Sequence, residues 1–105
     1  MGTSRRAEAL ALLGIARRAG AVVKGVDATR RGLRKGEVRL VVVAGDASET
    51  QLVKVVPLAK ASGIPVVRVG GQVKLGAALG EGPLSSVGVT GHSFVKQLQE
   101  LLGRD

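Results

Sequence analysis

The segment Lys24-Gly25-Val26-Asp27-Ala28-Thr29-Arg30-Arg31-Gly32-Leu33-Arg34-Lys35-Gly36 holds the densest group of side chains able to do chemistry. A glycine turn opens a helix predicted over 26–35, with Val26, Thr29 and Leu33 inward and Arg30, Arg31, Arg34 and Lys35 on its other faces. A helix N-terminus offers unpaired N–H groups and the positive end of the macrodipole, both suited to phosphate. Arginine adds a planar fork that makes two parallel hydrogen bonds to phosphate, or to O6 and N7 of guanine. The chemistry within reach is polyanion binding. The solvated face of an ordinary helix carries similar charge, so neighbouring residues must decide. Arg6 and Arg17 are eleven residues apart, about three helical turns, and share one stripe of a preceding helix. Only Glu8, Asp27 and Glu37 are acidic in this part of the chain.

Other candidate sites are sparser. Val69-Gly70-Gly71-Gln72 leaves a predicted strand and enters a helix, and paired glycines let a ligand approach the backbone closely. The spacings of a nucleotide fingerprint, GxGxxG or GxxxxGK[ST], do not follow any predicted strand, so a turn or a close-approach loop for a large ligand is the reading. Asp46 follows an apolar strand, where an α/β enzyme can place a carboxylate, but it also precedes Ser48 as an ordinary turn residue would. His92-Ser93 lacks the GxSxG frame of a nucleophile elbow. No catalytic constellation is expected.

Composition narrows the partners. The 105 residues are one domain's worth of chain, and 45% are hydrophobic, enough for a core. The net charge is +8, unevenly spread: residues 1–39 hold ten basic and three acidic residues, and residues 40–105 hold six and five. A basic half on a nearly neutral half points to nucleic acid before membrane. Without cysteine and with one histidine, disulfides, thiol catalysis and histidine-built metal sites are not expected, nor is a cofactor. Phe94 is the only aromatic residue, so base stacking on rings is excluded, leaving charge, backbone and shape. Glu8 and Arg17-Arg18 break the superficial likeness of residues 5–13 to a signal peptide, and Met1-Gly2 lacks the Ser or Thr a myristoylation signal wants at Arg6. No apolar run approaches the ~20 residues of a membrane span, so a cytoplasmic protein is expected.

These residues need a scaffold, and helical and extended patterns alternate to supply one. Residues 4–19 read as a helix with Ser4 as N-cap, Gly20 as stop, and Ala9, Leu12, Leu13, Ala16 and Ala19 on one stripe. Strands are predicted at 21–23, 40–44, 65–69 and 86–89, the second apolar throughout, as a strand covered on both faces should be. Ser48-Glu49-Thr50-Gln51 is a capping box opening a helix that Pro57 should kink or interrupt. Helices at 72–80 and 92–102 complete the chain, the last with Phe94, Val95, Leu98, Leu101 and Leu102 inward. Alternation of this kind implies a mixed sheet between helical layers.

The segment KGVDATRRGLRKG resembles the RNA-recognition segment of the L-seven-Ae type ribosomal proteins, which bind kink-turn RNA. Gly63-Ile64-Pro65-Val66-Val67-Arg68-Val69, with Lys74-Leu75-Gly76-Ala77-Ala78-Leu79-Gly80, is similar to that family's strand, RNA-contacting loop and Leu-Gly-x-Ala helix. Leu12–Gly20 and Ala44-Gly45-Asp46-Ala47-Ser48 resemble its small bacterial YlxQ-like branch, and together these segments cover most of the chain.

The resemblance implies a three-layer α/β/α sandwich around a small mixed β-sheet, without catalysis, formed by the whole of 1–105 as a monomeric RNA-binding domain. It implies structured RNA as partner, a kink-turn or ribosomal RNA, and hence the ribosome. Contacts are expected at Lys24, Gly25, Val26, Asp27, Ala28, Arg30, Arg31, Arg34 and Lys35, with Val69, Gly70 and Gly71 over a flipped-out nucleotide. The family's Asn and Glu fall on Asp27 and Ala28, its Lys on Arg31, and its later Arg on Lys35. Asp27 accepts hydrogen bonds without donating, and the Ala28 side chain does neither, so the pair that reads sheared G·A pairs is absent while the groove-binding charge is kept. Two alternatives stay open: a protein-interaction module meeting an acidic partner, and a small-ligand binder or enzyme using Asp46 with the Gly70-Gly71 loop.

Overall fold

Leu40–Ala44 forms a strand with every residue buried, and its side chains alternate between two separate apolar cores. In the computed structural model, which describes residues 4–103, the elements are α1 (Arg5–Arg18), β1 (Val22–Lys24), α2 (Val26–Arg34), β2 (Leu40–Ala44), α3 (Glu49–Leu52), α4 (Val56–Ala61), β3 (Val66–Val69), α5 (Gln72–Ala78), β4 (Ser86–Val89) and α6 (His92–Leu102). Met1 and Gly2, on which the acylation reading rests, lie outside the described residues.

The strands form one sheet in the order β1-β4-β2-β3, with β2 and β3 parallel and both contacts of β4 antiparallel. Leu40, Val42 and Ala44 meet Leu13 of α1, Leu75 of α5 and Leu98 of α6 on one face. Val41 and Val43 meet Leu33 of α2 and Ala59 of α4 on the other. The result is the three-layer α/β/α sandwich around a mixed sheet that the sequence implied.

Local signals explain the element ends. The Ser4 side chain accepts from the Ala7 N–H at 3.1 Å and caps α1. Ser48 and Gln51 form the reciprocal capping box of α3. Pro57 lies at the first residues of α4, where its missing N–H leaves no helical bond unmade, so the predicted third helix is divided into α3 and α4. One expectation fails at an end: Ala19, placed on the inward stripe, lies past the last turn of α1 and is exposed.

Candidate nucleic-acid interface

The pairing directions decide which loops share a sheet edge. The C-terminal ends of β1, β2 and β3 and the N-terminal end of β4 lie together. That edge carries the Lys24-Gly25 turn, Ser85-Ser86, the Gly45-Asp46 turn and the Gly70-Gly71 loop. Three backbone hydrogen bonds tie them: Gly25 N–H to Ser86 O at 3.0 Å, Ala44 N–H to Ser85 O at 2.9 Å, and Gly45 N–H to Gly70 O at 2.6 Å. The outer loops are separated by three strand spacings, roughly 14 Å.

Gly25 is the N-cap of α2 with φ 90° and ψ 169°, a region almost reserved for glycine. No side chain caps α2 there, so its first N–H groups and dipole end face outward at the edge. Val26 and Ala28 are partly buried, while Asp27, Arg31 and Arg34 occupy the outward face and are exposed. From Val26, Arg31 lies about 8 Å down the helix, and Lys35 about 14 Å.

The twelve expected contact residues therefore divide. Lys24, Gly25, Val26, Asp27, Ala28, Gly70 and Gly71 share the edge, and Arg31 lies beside it. Arg34 and Lys35 stand at the far end of α2, toward the opposite sheet edge where the chain turns back to enter β2. Val69 is 1% exposed and packs in the core, leaving its backbone alone to face a ligand. The Arg30 guanidinium donates to the backbone carbonyl of Lys54, fastening α2 to the α3–α4 turn. Lys24 is also engaged: its Nζ lies 2.7 Å from Glu81 Oε2. This ion pair holds the Glu81 carboxyl below its usual value, first by the hydrogen bond and then by the charge of Lys24, with Arg17 adding a smaller pull.

Asp46 has a structural task. Its Oδ1 accepts the Gln72 N–H at 2.9 Å, so the carboxylate caps the start of α5 and holds the Gly70-Gly71 loop. A Cβ on residue 71 would lie 2.9 Å from Asp46 Oδ2, so a side chain there would push on the capping carboxylate. A second polar link runs from Gln51 Nε2 to Gln72 Oε1 at 3.3 Å. An open cavity of about 380 Å³ does join Asp46 to Gly70 and Gly71, but Arg6 and Lys74 line it as well. His92 begins α6 beyond the C-terminal end of β4, at the opposite sheet edge from Asp46, so the two cannot work together. Among the described residues no acidic or histidine cluster could hold a metal ion, and no helix is long and apolar enough to cross a membrane.

Sequence periodicity did not single out Arg68 and Lys74 as cavity-lining cations, nor Arg6 beside the Gly70 loop. Their charge was visible, but residues 6, 68 and 74 meet only in the fold. Among the described residues the sole ion pair is Lys24–Glu81, so no other described cation has a carboxylate within pairing distance.

The fold is a small mixed-sheet sandwich whose glycine turns meet at one strand-end edge, with Arg6 and Arg68 lining a cavity beside the Gly70-Gly71 loop. The model of the ribosomal protein L7Ae/L30e/S12e/Gadd45 family matches residues 7–98, and the chain belongs to that family. It is 28% identical over 102 residues to the RNA-binding protein YlxQ of Enterococcus faecium, covering 97% of this chain and 98% of that one. It is 33% identical over 91 residues to the RNA-binding protein YlxQ of Bacillus subtilis (strain 168), covering 87% and 91%. Among solved structures, a protein of unknown function from Bacillus halodurans C superposes with a TM-score of 0.83 at 31% identity, covering 89% of this chain and 94% of that one. The 15.5kD RNA binding protein of Giardia lamblia gives 0.80 at 19% identity, covering 99% and 90%, a likeness of fold. Family membership makes the chain a binding protein and not an enzyme.

Proposed function

We propose that this protein binds structured RNA at the strand-end edge. The observation that carries the reading is that the chain's topology brings the Lys24–Ala28 turn and the Gly70-Gly71 loop, 45 residues apart in sequence, to one edge and ties them through Ser85-Ser86 and Gly45. The N-terminus of α2 enters the widened groove of a kink-turn, or of a comparably bent element of ribosomal RNA. Lys24 and Arg31 meet phosphates, and the backbone of 69–71 closes over an extruded nucleotide. Family membership and the two relatives named as RNA-binding proteins support this reading. The whole chain acts as one domain, as a monomer, in the cytoplasm and on ribosomal RNA, with no cofactor or metal.

Asp27 and Ala28 limit what the edge can read. Neither side chain donates to a base, so affinity rests on phosphates and selectivity for G·A pairs is relaxed. The test is a titration against a kink-turn RNA and a matched straight duplex at several salt concentrations. Both should bind at low salt, the kink-turn more tightly, with affinity falling steeply as salt rises. Arg31→Ala should weaken binding several-fold, while Lys60→Ala, on α4 and away from the edge, should not. Absence of binding to either RNA at 50 mM salt, roughly the low end of the usual working range, sinks the proposal.

A further inference from the structure

The opposite layer carries a second basic feature. Between α1 and α5 the surface forms a trough: the 380 Å³ cavity beside Gly70-Gly71 shares Leu10 and Lys74 with a neighbouring cavity of about 540 Å³ that reaches Arg18. In the other direction, a cavity of about 540 Å³ shares Arg6 and the glycine loop and reaches Arg68. Arg68, Arg6, Lys74 and Arg18 thus line one continuous path, all exposed and, among the described residues, none ion-paired. Among the described residues the only carboxylate on it, Asp46, is occupied in capping α5.

We infer that this trough holds a single-stranded RNA segment flanking the folded element bound at the strand-end edge, an inference that rests on the RNA-binding reading. Continuity argues for the same polymer at both places, because the trough begins at Gly70 and Gly71, where the proposed interface ends. It is a shallow surface path between two helices in direct contact, which a flexible single strand can follow more readily than a stiff duplex. From Arg6 to Arg18 is about 18 Å along α1, room for several phosphates. The lining is small and apolar, with Leu10, Ala11, Gly14, Ala77 and Ala78, and Gly14 packs closely against the Ala78 carbonyl. Such a lining offers a sugar or base face close contact but no side-chain hydrogen bonds, so the trough accepts any sequence. Val73, 69% exposed at its mouth, extends the apolar contact.

The test compares wild type with the triple variant Arg6→Gln, Lys74→Gln, Arg18→Gln. The probes are a blunt-ended kink-turn RNA, the same RNA with single-stranded oligouridine extensions, and the free oligouridine. Thermal melting of the variant serves as the folding check. For wild type, the extensions should tighten binding by about tenfold at low salt. Removing three cations that each neutralise a phosphate of a single strand should lower the slope of log affinity against log salt by about 2. Because Arg6 and Lys74 also adjoin the Gly70-Gly71 loop, the variant should bind the blunt RNA somewhat less tightly than wild type, and it should gain nothing from the extensions. Extensions that add nothing for wild type, or an equal loss on blunt and extended RNA, overturn the trough. Tight trough-dependent binding of a polyglutamate peptide without any effect of the extensions would assign the surface to an acidic protein and overturn it too. If wild type prefers no kink-turn, the kink-turn reading fails, while free oligouridine still reports on the trough through the variant.

Discussion

The turn that opens α2 stands on one backbone conformation, and Gly25→Ala tests it. At φ 90° and ψ 169° an L side chain is strained by about 1–3 kcal/mol. A Cβ there meets nothing within 4 Å, so the whole penalty is conformational. Replacing glycine also removes freedom from the unfolded chain, which returns about 0.4–1 kcal/mol. The net loss is about 1–2 kcal/mol, or about 4–16 °C in Tm for a domain of this size. Two companions calibrate the result. Gly82→Ala, outside the positive-φ set and also facing open space, should change stability by less than about 0.5 kcal/mol. Gly36→Ala, with φ 73° beyond the other end of α2, should cost about 0.5–1 kcal/mol after the same gain is subtracted. Calorimetry gives the melting temperatures, and RNA titration well below the transition separates stability from function. Gly25→Ala should lose affinity while fully folded, because relaxing residue 25 displaces the N–H bonded to Ser86 and the start of α2 with it. Gly36→Ala should melt early yet bind normally. If Gly25→Ala and Gly82→Ala melt together, the turn does not require glycine and the reasoning is wrong.

Packing and charge give two further expected outcomes. Gly76→Ala would put a Cβ 1.8 Å from the Gly82 carbonyl oxygen, forcing α5 from the 80–85 loop; urea unfolding should show a loss of about 3 kcal/mol with little change in slope. Glu81 is depressed in the folded state, so its ion pair with Lys24 stabilises above the ordinary carboxylate range, and that contribution is lost as pH falls through the lowered folded value. Wild type and Glu81→Gln should therefore differ in stability at neutral pH and converge under acid, and the variant should bind RNA more tightly because Lys24 is released. A stability difference that grows as pH falls would contradict this sign.

Much of the fold was legible because its signals are local. Ser4 and Gly20 bound α1, the Ser48–Gln51 box opens α3, and Pro57 separates α3 from α4, each through hydrogen bonds made or forbidden within one turn. The apolar run 40–44 announced a strand covered on both faces, and it is buried throughout. Failures came where a residue's fate depends on another element. Arg30 read as a free cation on the α2 face, yet a carbonyl 24 residues away in sequence holds it. Val69 read as part of a contact loop, yet it closes β3 with its side chain in the core.

That the proposed partner is a polyanion was written in residue types alone. The charge excess in residues 1–39, the lone Phe94 and the absence of cysteine leave charge and backbone as the means of binding, and none of these depends on the fold. Asp27 and Ala28 likewise establish, whatever their surroundings, that no side chain there can donate to a base. Which cations work together is a matter of packing. Helical periodicity placed Arg31, Arg34 and Lys35 on one helix, but strand order and direction put the start of α2 beside Gly70-Gly71 and left Lys35 at the far end. The same crossings set Arg6, Arg68 and Lys74 along one trough, because a period of 3.6 or 2 reports which way a side chain faces, and only packing reports what it faces.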